Sequence, residues 1–207
     1  MIVGILLAGG LSRRMGGGDK CLRPLAGRTV LDHVVGRARP QVAALALNAN
    51  GDPGRFAGYG LPVVADDVPD FPGPLAGVLA GLDWAAGQPG ATHVASFATD
   101  APFLPTDLVA RLAAAIADDR GDLACAASGG RAHPVFGLWP VSIRAALRAA
   151  IVGEGIRKVD RFTARYRLVQ VEFPITPGDP FFNVNRLEDL AAAEAWLAGG
   201  PPPAADE

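Results

Sequence analysis

The stretch "GILLAGGLSRRMGGGDK", residues 4 to 20, joins an apolar run to a loop of glycines that also carries two arginines and a lysine. The run that leads into it, "MIVGILLA" (1–8), is short, continuous and rich in Ile, Val and Leu, which is typical of a buried strand. Glycine is costly to order, and basic side chains resist burial. A strand that ends in such a loop indicates an anion-binding site, because glycine lets backbone N–H groups approach phosphate oxygens.

Outward from this stretch, apolar strands alternate with amphipathic helices. Such alternation predicts a mostly parallel sheet with helices on both faces, which is a three-layer α/β/α, Rossmann-like fold. The order as far as about residue 120 is β-α-β-β-α-β-α. The predicted elements are strands at 1–8, 42–50, 61–67 and 92–100, and helices at 29–39, 75–82 and 108–116.

From residue 123 the pattern changes, and it favours an antiparallel portion of the sheet in the C-terminal half. Two strands joined through Gly129-Gly130 carry this expectation. We predict a single domain over residues 1–198 and a disordered tail, "GGPPPAADE", at 199–207. The predicted elements here are strands at 122–128, 132–139 and 166–173, and helices at 142–151 and 187–197.

Charge and cysteine content exclude several classes of protein. The net charge of −2 gives no overall attraction to nucleic acid or to anionic lipid. Cys21 and Cys125 are too few for a disulfide framework, so we expect reduced thiols. The apolar run at 1–8 is too short to span a membrane. We therefore expect a cytoplasmic protein with neither nucleic acid nor a membrane among its partners.

Polar residues end three of the predicted strands, at Asn48, Asp66 and Asp100. In open α/β sheets, ligands bind beyond the carboxyl ends of the strands. A carboxylate there suits Mg²⁺, which takes one or two carboxylates together with water and substrate phosphates. Asp and Asn are also common turn residues. The pattern of residues alone leaves both interpretations open.

The glycine-rich loop has neither the GxxxxGK[ST] nor the GxGxxG spacing, and the lack of GxGxxG disfavours a dinucleotide-dependent oxidoreductase. The stretch "LLAGGLSRRMGGGDK" resembles instead the L-A-G-G-x-S-x-R-M-G signature of nucleotidyltransferases. Within that group the chain is most similar to the molybdenum cofactor guanylyltransferases, over almost its whole length. Further matching segments are "NAN" (48–50), "VVADD" (63–67), "PGPLAG" (72–77), "TDAPFL" (99–104), "HPV" (133–135) and "NVN" (183–185).

This resemblance implies a nucleotidyltransferase fold and the transfer of GMP from GTP to molybdopterin, with Mg²⁺ on Asp100 and release of pyrophosphate. It also implies transient contacts with molybdenum-insertion proteins and with acceptor oxidoreductases. The residues it implies are Arg14, Lys20 and Asp100 for catalysis; Leu7, Ala8, Gly9, Gly10, Lys20, Asn48, Asp66 and Asp100 for the nucleotide; and Arg157, Asn183 and Asn185 for the pterin.

Other interpretations stay open at this point. A cytidylyltransferase acting on molybdopterin or on another phosphorylated acceptor shares the fold, although the second glycine of Gly9-Gly10 favours the larger purine. A non-catalytic GTP-binding module is a further alternative, which the presence of Lys20 and Asp100 disfavours. Asn185 also fits the N-cap of the last helix, with Glu188 three residues later. A lone histidine such as His133 is expected to be structural.

Overall fold

The computed structural model describes residues 1–8, 19–68, 73–117 and 121–203. In this part of the chain, short strands alternate with helices of up to three and a half turns. The strands are β1 (Ile2–Leu7), β2 (Pro24–Leu25), β3 (Arg28–Thr29), β4 (Leu45–Asn48), β5 (Val63–Val64), β6 (His93–Ala98), β7 (Leu123–Ser128), β8 (Arg131–Pro140) and β9 (Leu168–Phe173). The helices are α1 (Val30–Ala38), α2 (Pro74–Ala86), α3 (Leu108–Ala115), α4 (Arg144–Val152), α5 (Val159–Thr163) and α6 (Leu187–Leu197).

Seven of these strands form one sheet in the order β5-β4-β1-β6-β8-β7-β9. Strand β8 runs antiparallel to both of its neighbours, and the other pairs in the sheet are parallel. Gly129 and Gly130 connect β7 to β8 with φ values of 56° and 78°. A two-residue hairpin with a type I′ turn has positive φ at both positions, which glycine adopts without steric cost. The predicted antiparallel portion is therefore confirmed, and β8 provides it.

Helices cover both faces of the sheet, which confirms the predicted three-layer fold. Successive side chains of β1 point to opposite faces, as the strand period of two requires. Helices α2, α4 and α5 bury one face, and α1 and α3 bury the other. Side chains buried between the sheet and α2, α4 and α5 include Val3, Ile5, Leu79, Leu147 and Phe162. Those buried on the opposite face include Leu6, Leu31, Val34, Leu108 and Leu112.

Several short elements are absent from the sequence-based prediction. These are the hairpin of β2 and β3, the helix α5 and a 3-10 helix at Pro53–Tyr59. The second long strand is also shorter than predicted, since β4 covers Leu45–Asn48 rather than 42–50. Strands of two residues are too short to show alternation, and helices of five and seven residues are shorter than the window of about 11–18 residues over which helical periodicity is recognised.

The C-terminal segment continues past α6 with contacts to the rest of the chain. Gly200 N donates a hydrogen bond to Ala195 O at 2.8 Å, and residues 204–207 lie outside the described part. The single domain over 1–198 and the disordered tail at 199–207 stay predictions.

Among the described residues, no helix is both long and apolar enough to cross a membrane.

Candidate active site

The carboxyl ends of β4, β1 and β6 meet at one edge of the sheet. Leu7 lies opposite Asn48 on one side and Ala98 on the other. Ala8 N donates to Asn48 O at 2.9 Å, and the Thr99 hydroxyl donates to Leu7 O at 3.1 Å. These bonds fix Leu7 and Ala8, two of the predicted nucleotide-binding residues, at the middle of this edge.

Lys20, Asp100 and Asn185 come together at the same edge, although they are far apart in the chain. Lys20 begins a single 3-10 turn at Lys20–Leu22. Its Nζ donates to Asp100 Oδ2 at 3.1 Å and to Asn185 Oδ1 at 2.6 Å. The side chains of Lys20 and Asp100 are 22% and 26% exposed. The ammonium group is thus partly desolvated and held between a carboxylate and an amide oxygen.

Backbone contacts hold Asn185 in this position. Val184 N donates to Asp100 O at 2.8 Å, and the N–H groups of Asn185 and Arg186 both donate to Asp189 Oδ2 at 2.7 Å. The N-cap residue of α6 is Arg186, and Asp189 supplies the capping carboxylate. The prediction that Asn185 caps this helix with Glu188 is therefore wrong. The Asn185 side chain faces Lys20 instead.

Asn48, Asn50 and Asp66 form a second group beside the first. Asn48 is 3% exposed, and its Nδ2 donates to Asp66 Oδ1 at 2.9 Å. Asn50 Nδ2 donates to Asp66 Oδ2 at 2.8 Å, and Asn50 Oδ1 accepts from Asp66 N at 2.9 Å. Each oxygen of the Asp66 carboxylate thus has an amide donor. This fixes the plane of the carboxylate and leaves each oxygen with capacity to accept a further bond.

Helix α2 packs closely against this group at Gly77. The helix begins at Pro74, within the "PGPLAG" segment, with Gly73 as its N-cap residue. A Cβ on Gly77 would overlap Asn48 Oδ1 and would lie 2.8 Å from Leu7 Cδ2. Only glycine permits this approach of the helix to the edge of the sheet.

Further along the edge, a chain of hydrogen bonds links Asp179, Ser128 and His133. Ser128 Oγ donates to Asp179 Oδ1 at 2.9 Å and lies 2.7 Å from His133 Nε2. The hydroxyl has one proton and the carboxylate only accepts, so Nε2 of His133 carries the proton shared with Ser128. Burial lowers the pKa of His133 below its ordinary value in spite of the Asp179 carboxylate.

The hydrogen bonds among Asp179, Ser128 and His133 anchor the segment that leads to Asn185. Asp179 Oδ1 also accepts from Phe181 N at 2.9 Å, and the Phe181 ring lies 4.7 Å from the His133 ring, centroid to centroid. The segment 179–185 is thus tied to β7 at one end and to Asp100 at the other. These contacts are of the kind expected of a structural histidine.

The remaining predicted residues divide into two groups. Asn183 is half-buried within the 179–185 segment, and Arg157 is exposed, with its carbonyl oxygen next to Gly73 at the start of α2. Their roles in pterin binding stay predictions. Gly9, Gly10 and Arg14 lie outside the described residues, and their roles stay predictions as well.

Asp100 is a residue at this edge that suits a divalent cation. Among residues 1–8, 19–68, 73–117 and 121–203, no three His, Cys, Asp or Glu side chains gather into a metal-binding group. The Asp100 carboxylate is partly exposed at the edge, and Lys20 contacts it through Oδ2. A single carboxylate completed by water and phosphate oxygens is a typical environment for Mg²⁺ in phosphate-transfer sites. The residues present therefore fit such an ion.

Cys21, which follows Lys20, is not a candidate nucleophile. Burial, together with the neighbouring Asp19 carboxylate, raises the pKa of its thiol to about 12. Burial likewise raises the pKa of Cys125 to about 11. Because the thiolate is the nucleophilic form, a raised pKa disfavours attack by either cysteine at neutral pH. Both are free, as the sequence predicts.

Arg55 and Asp19 belong to the surroundings of the site, and the sequence-based prediction missed them. Arg55 Nε lies 2.7 Å from Asp19 Oδ2, and Arg55 Nη2 donates to Asn50 O at 2.6 Å. Arg55 lies on the unpredicted 3-10 helix at Pro53–Tyr59. The one signal nearby is the "NAN" segment (48–50), which indicates Asn48 as a site residue but does not indicate Arg55.

Comparison with known proteins supports the resemblance seen in the sequence. Residues 4–170 match the model of the MobA-like NTP transferase domain. The chain is 63% identical over 198 residues to a molybdenum cofactor guanylyltransferase of Bradyrhizobium sp. (strain ORS 278), covering 95% of this chain and 93% of that protein. It is 46% identical to a protein of the same name from Rhizobium meliloti (strain 1021), covering 93% and 90%.

Solved structures share the fold at lower identity. The molybdopterin-guanine dinucleotide biosynthesis protein A from Archaeoglobus fulgidus superposes with a TM-score of 0.75 at 22% identity. The match covers 96% of this chain and all of that one. It confirms the nucleotidyltransferase type of fold that the resemblance implies.

Proposed function

Since this chain belongs to the MobA-like NTP transferase family, we propose that it transfers GMP from GTP to molybdopterin, with or without bound molybdenum. The products are pyrophosphate and the guanine dinucleotide form of the molybdenum cofactor. The observation that carries this proposal is the position of the Lys20 ammonium group. It lies against Asp100 and Asn185, at the sheet edge that also presents Asn48 and Asp66.

The reaction requires little from the protein beyond positioning and charge. An oxygen of the terminal phosphate of molybdopterin attacks the α-phosphorus of GTP in line. A new P–O bond forms, the bond from the α-phosphorus to the bridging oxygen breaks, and pyrophosphate leaves with that electron pair. The attacking phosphate is already ionised, so no general base is needed. Lys20 and Arg14 supply positive charge to the phosphates, which would otherwise repel each other.

Asp100 is the residue that would hold the metal, and we assign Mg²⁺ to it. When bound, this ion neutralises phosphate charge and makes the α-phosphorus more electrophilic. Lys20 contacts the same carboxylate, so its charge lies within reach of the phosphates that the cation attracts.

Asn48 and Asp66 form the guanine side of the site. The two donor groups of the guanine edge, N1–H and N2–H₂, match a carboxylate, which can accept two parallel hydrogen bonds. Cytosine presents an acceptor, N3, beside its amino group, and would place a lone pair against that carboxylate. The orientation of Asp66 by Asn48 and Asn50 therefore favours GTP over CTP.

On the other side of the site, Arg157, Asn183 and Asn185 bind the pterin. We also propose that the protein works in the cytoplasm. There it makes transient contacts with molybdenum-insertion proteins and with the oxidoreductases that accept the finished cofactor.

Thermal unfolding with GTP, ATP, CTP and UTP, each with and without Mg²⁺, tests the nucleotide assignment. A ligand at 100 times its dissociation constant adds about 2.7 kcal/mol to the free energy of unfolding. For a chain of this size, that corresponds to roughly 5–10 °C. Among the four nucleotides, we expect only GTP to raise the unfolding temperature, and Mg²⁺ to enlarge that increase. An Asp100→Asn variant should lose the Mg²⁺-dependent part.

A turnover assay then tests the reaction itself, by pyrophosphate release from GTP in the presence of molybdopterin. A thermal shift with CTP instead of GTP would move the protein to the cytidylyltransferases. A shift with GTP but no turnover would leave a non-catalytic GTP-binding module.

A further inference from the structure

We propose that Arg55 is a positioning residue. It holds Lys20 in a fixed position relative to Asn48 and Asp66, which form the guanine side of the site. This inference rests on the proposed function, because it assigns Arg55 a part in binding GTP. The effect of Arg55 on Lys20 and Asp66 is indirect. It acts through Asp19 and Asn50, the neighbours that hold those two residues.

The Arg55 guanidinium donates in two directions. Nε faces Asp19 Oδ2 at 2.7 Å, and Nη2 faces Asn50 O at 2.6 Å. Asp19 directly precedes Lys20, so its carboxylate fixes the main chain from which the Lys20 side chain extends. Asn50 holds Asp66 through its side chain. One planar group therefore ties the lysine side of the site to the guanine side.

Arg55 is suited to this task because further contacts hold it and its 3-10 helix in place. Its guanidinium lies over the ring of Phe56, 4.9 Å from the centroid, and Phe56 is 1% exposed. The 3-10 helix is capped at its start by Asp52, which accepts from Gly54 N at 2.8 Å. At its end, the Tyr59 hydroxyl lies 2.6 Å from the Thr29 hydroxyl of the neighbouring helix cap. Support of this kind around a contact residue is what a precise site requires.

The ion pair is not a major source of stability. The side chains of Arg55 and Asp19 are 30% and 22% exposed. Partly exposed pairs of this kind contribute little to the free energy of unfolding. A change at Arg55 should therefore alter the site more than the fold, which makes the two effects separable.

The chain offers a direct probe, since Lys20 and Lys158 are its only lysines. Protein labelled with ¹³C-lysine should give two ¹³Cε signals, and a Lys20→Arg variant identifies the one from Lys20. In the nucleotide-free Arg55→Gln variant, we expect the Lys20 signal to move toward that of the exposed Lys158, while the Lys158 signal stays in place.

Two further variants sharpen this experiment. Arg39 donates to Tyr59 O at 3.1 Å, at the other end of the same 3-10 helix. Arg39→Gln is therefore the matched control, and it should leave both lysine signals unchanged. Arg55→Lys keeps the charge beside Asp19 but loses the forked geometry, and it should give an intermediate position.

GTP binding measured by calorimetry gives the functional consequence. We expect the Arg55→Gln and Asp19→Asn variants each to weaken GTP binding about tenfold, and the double variant to be no weaker than either, because the two residues act as one unit. Arg39→Gln should bind GTP as the wild type does. Unfolding temperatures without ligand should agree within about 2 °C.

An unchanged Lys20 signal in Arg55→Gln would overturn the inference, as would unchanged GTP affinity or strictly additive losses in the double variant. A wild-type protein that binds no GTP would refute the proposed function instead. In that case, the lysine signals still decide whether Arg55 positions Lys20.

Discussion

Gly77→Ala is the substitution whose effect on the proposed site follows most directly from the geometry. The added Cβ would overlap Asn48 Oδ1 and would lie 2.8 Å from Leu7 Cδ2. Asn48 is buried, so its side chain can yield only by leaving the Asp66 carboxylate that it holds at 2.9 Å. We therefore expect a loss of stability and a separate loss of GTP affinity.

Two effects on stability partly cancel. Forcing a methyl group into a packed interface costs about 1–3 kcal/mol, whereas replacing glycine by alanine within a helix gains about 1 kcal/mol. The net loss is on the order of 1 kcal/mol, or about 2–4 °C in unfolding temperature. A misplaced Asp66 loses hydrogen bonds to guanine, and a bond to a charged group is worth about 1.5–3 kcal/mol. GTP binding should therefore weaken roughly 10- to 100-fold.

Gly81 supplies the matched control one turn along the same helix. A Cβ there would lie 2.8 Å from Cγ2 and 2.9 Å from Cβ of Ile5, in the core below the site. Gly81→Ala should lose a similar amount of stability and bind GTP normally. The two variants are compared by thermal unfolding without ligand and by calorimetric titration with GTP and Mg²⁺. Equal GTP affinity in both variants would refute the role given to Asn48 and Asp66.

Two further predictions concern groups beside the site. Ser128→Ala removes the partner that Asp179 and His133 share, so the KM for molybdopterin should rise about tenfold while the Kd for GTP stays constant; parallel losses for both substrates would contradict this. Burial raises the pKa of the Cys21 and Cys125 thiols from an ordinary 9.0 to about 12 and about 11. As the pH rises, the thiols of the unfolded state lose their protons before those of the folded state do. The free energy of unfolding is therefore unaffected below about pH 9 and falls above it. Thermal unfolding at pH 7 and pH 10 measures this, and rapid labelling of the folded protein by a thiol reagent at pH 8 would show that the thiols are accessible.

The sequence carries the framework of this fold because long elements leave periodic signals. In the sequence, Gly9-Gly10, Asn48 and Asp100 stand at the ends of the predicted strands 1–8, 42–50 and 92–100, and glycine or polar residues in these places are enough to predict the edge of the sheet. Pro74, a residue type favoured in the first turn of a helix, begins α2. The antiparallel β8 follows from two glycines in succession. The family assignment rested on the order of several motifs, and comparison with known proteins confirmed it.

The parts that escaped prediction depend on contacts between distant residues. Arg55 lies on a short 3-10 helix without a periodic pattern, and its partner Asp19 comes 36 positions earlier in the chain. Nothing in either local sequence distinguishes this pair from ordinary solvated charges. Its significance depends on the main chain that each partner holds, which is a property of the folded chain alone.

Asn185 shows most clearly why local sequence cannot settle the role of a polar residue. Read locally, it precedes Arg186-Leu187-Glu188 and fits a helix cap, while the family resemblance placed it in the pterin site. The cap is supplied by Asp189, whose carboxylate binds the N–H groups of Asn185 and Arg186. This backbone anchoring leaves the Asn185 amide oxygen available for Lys20, 165 positions away. The helix that the local pattern correctly predicted is thus the element that positions Asn185 for the site.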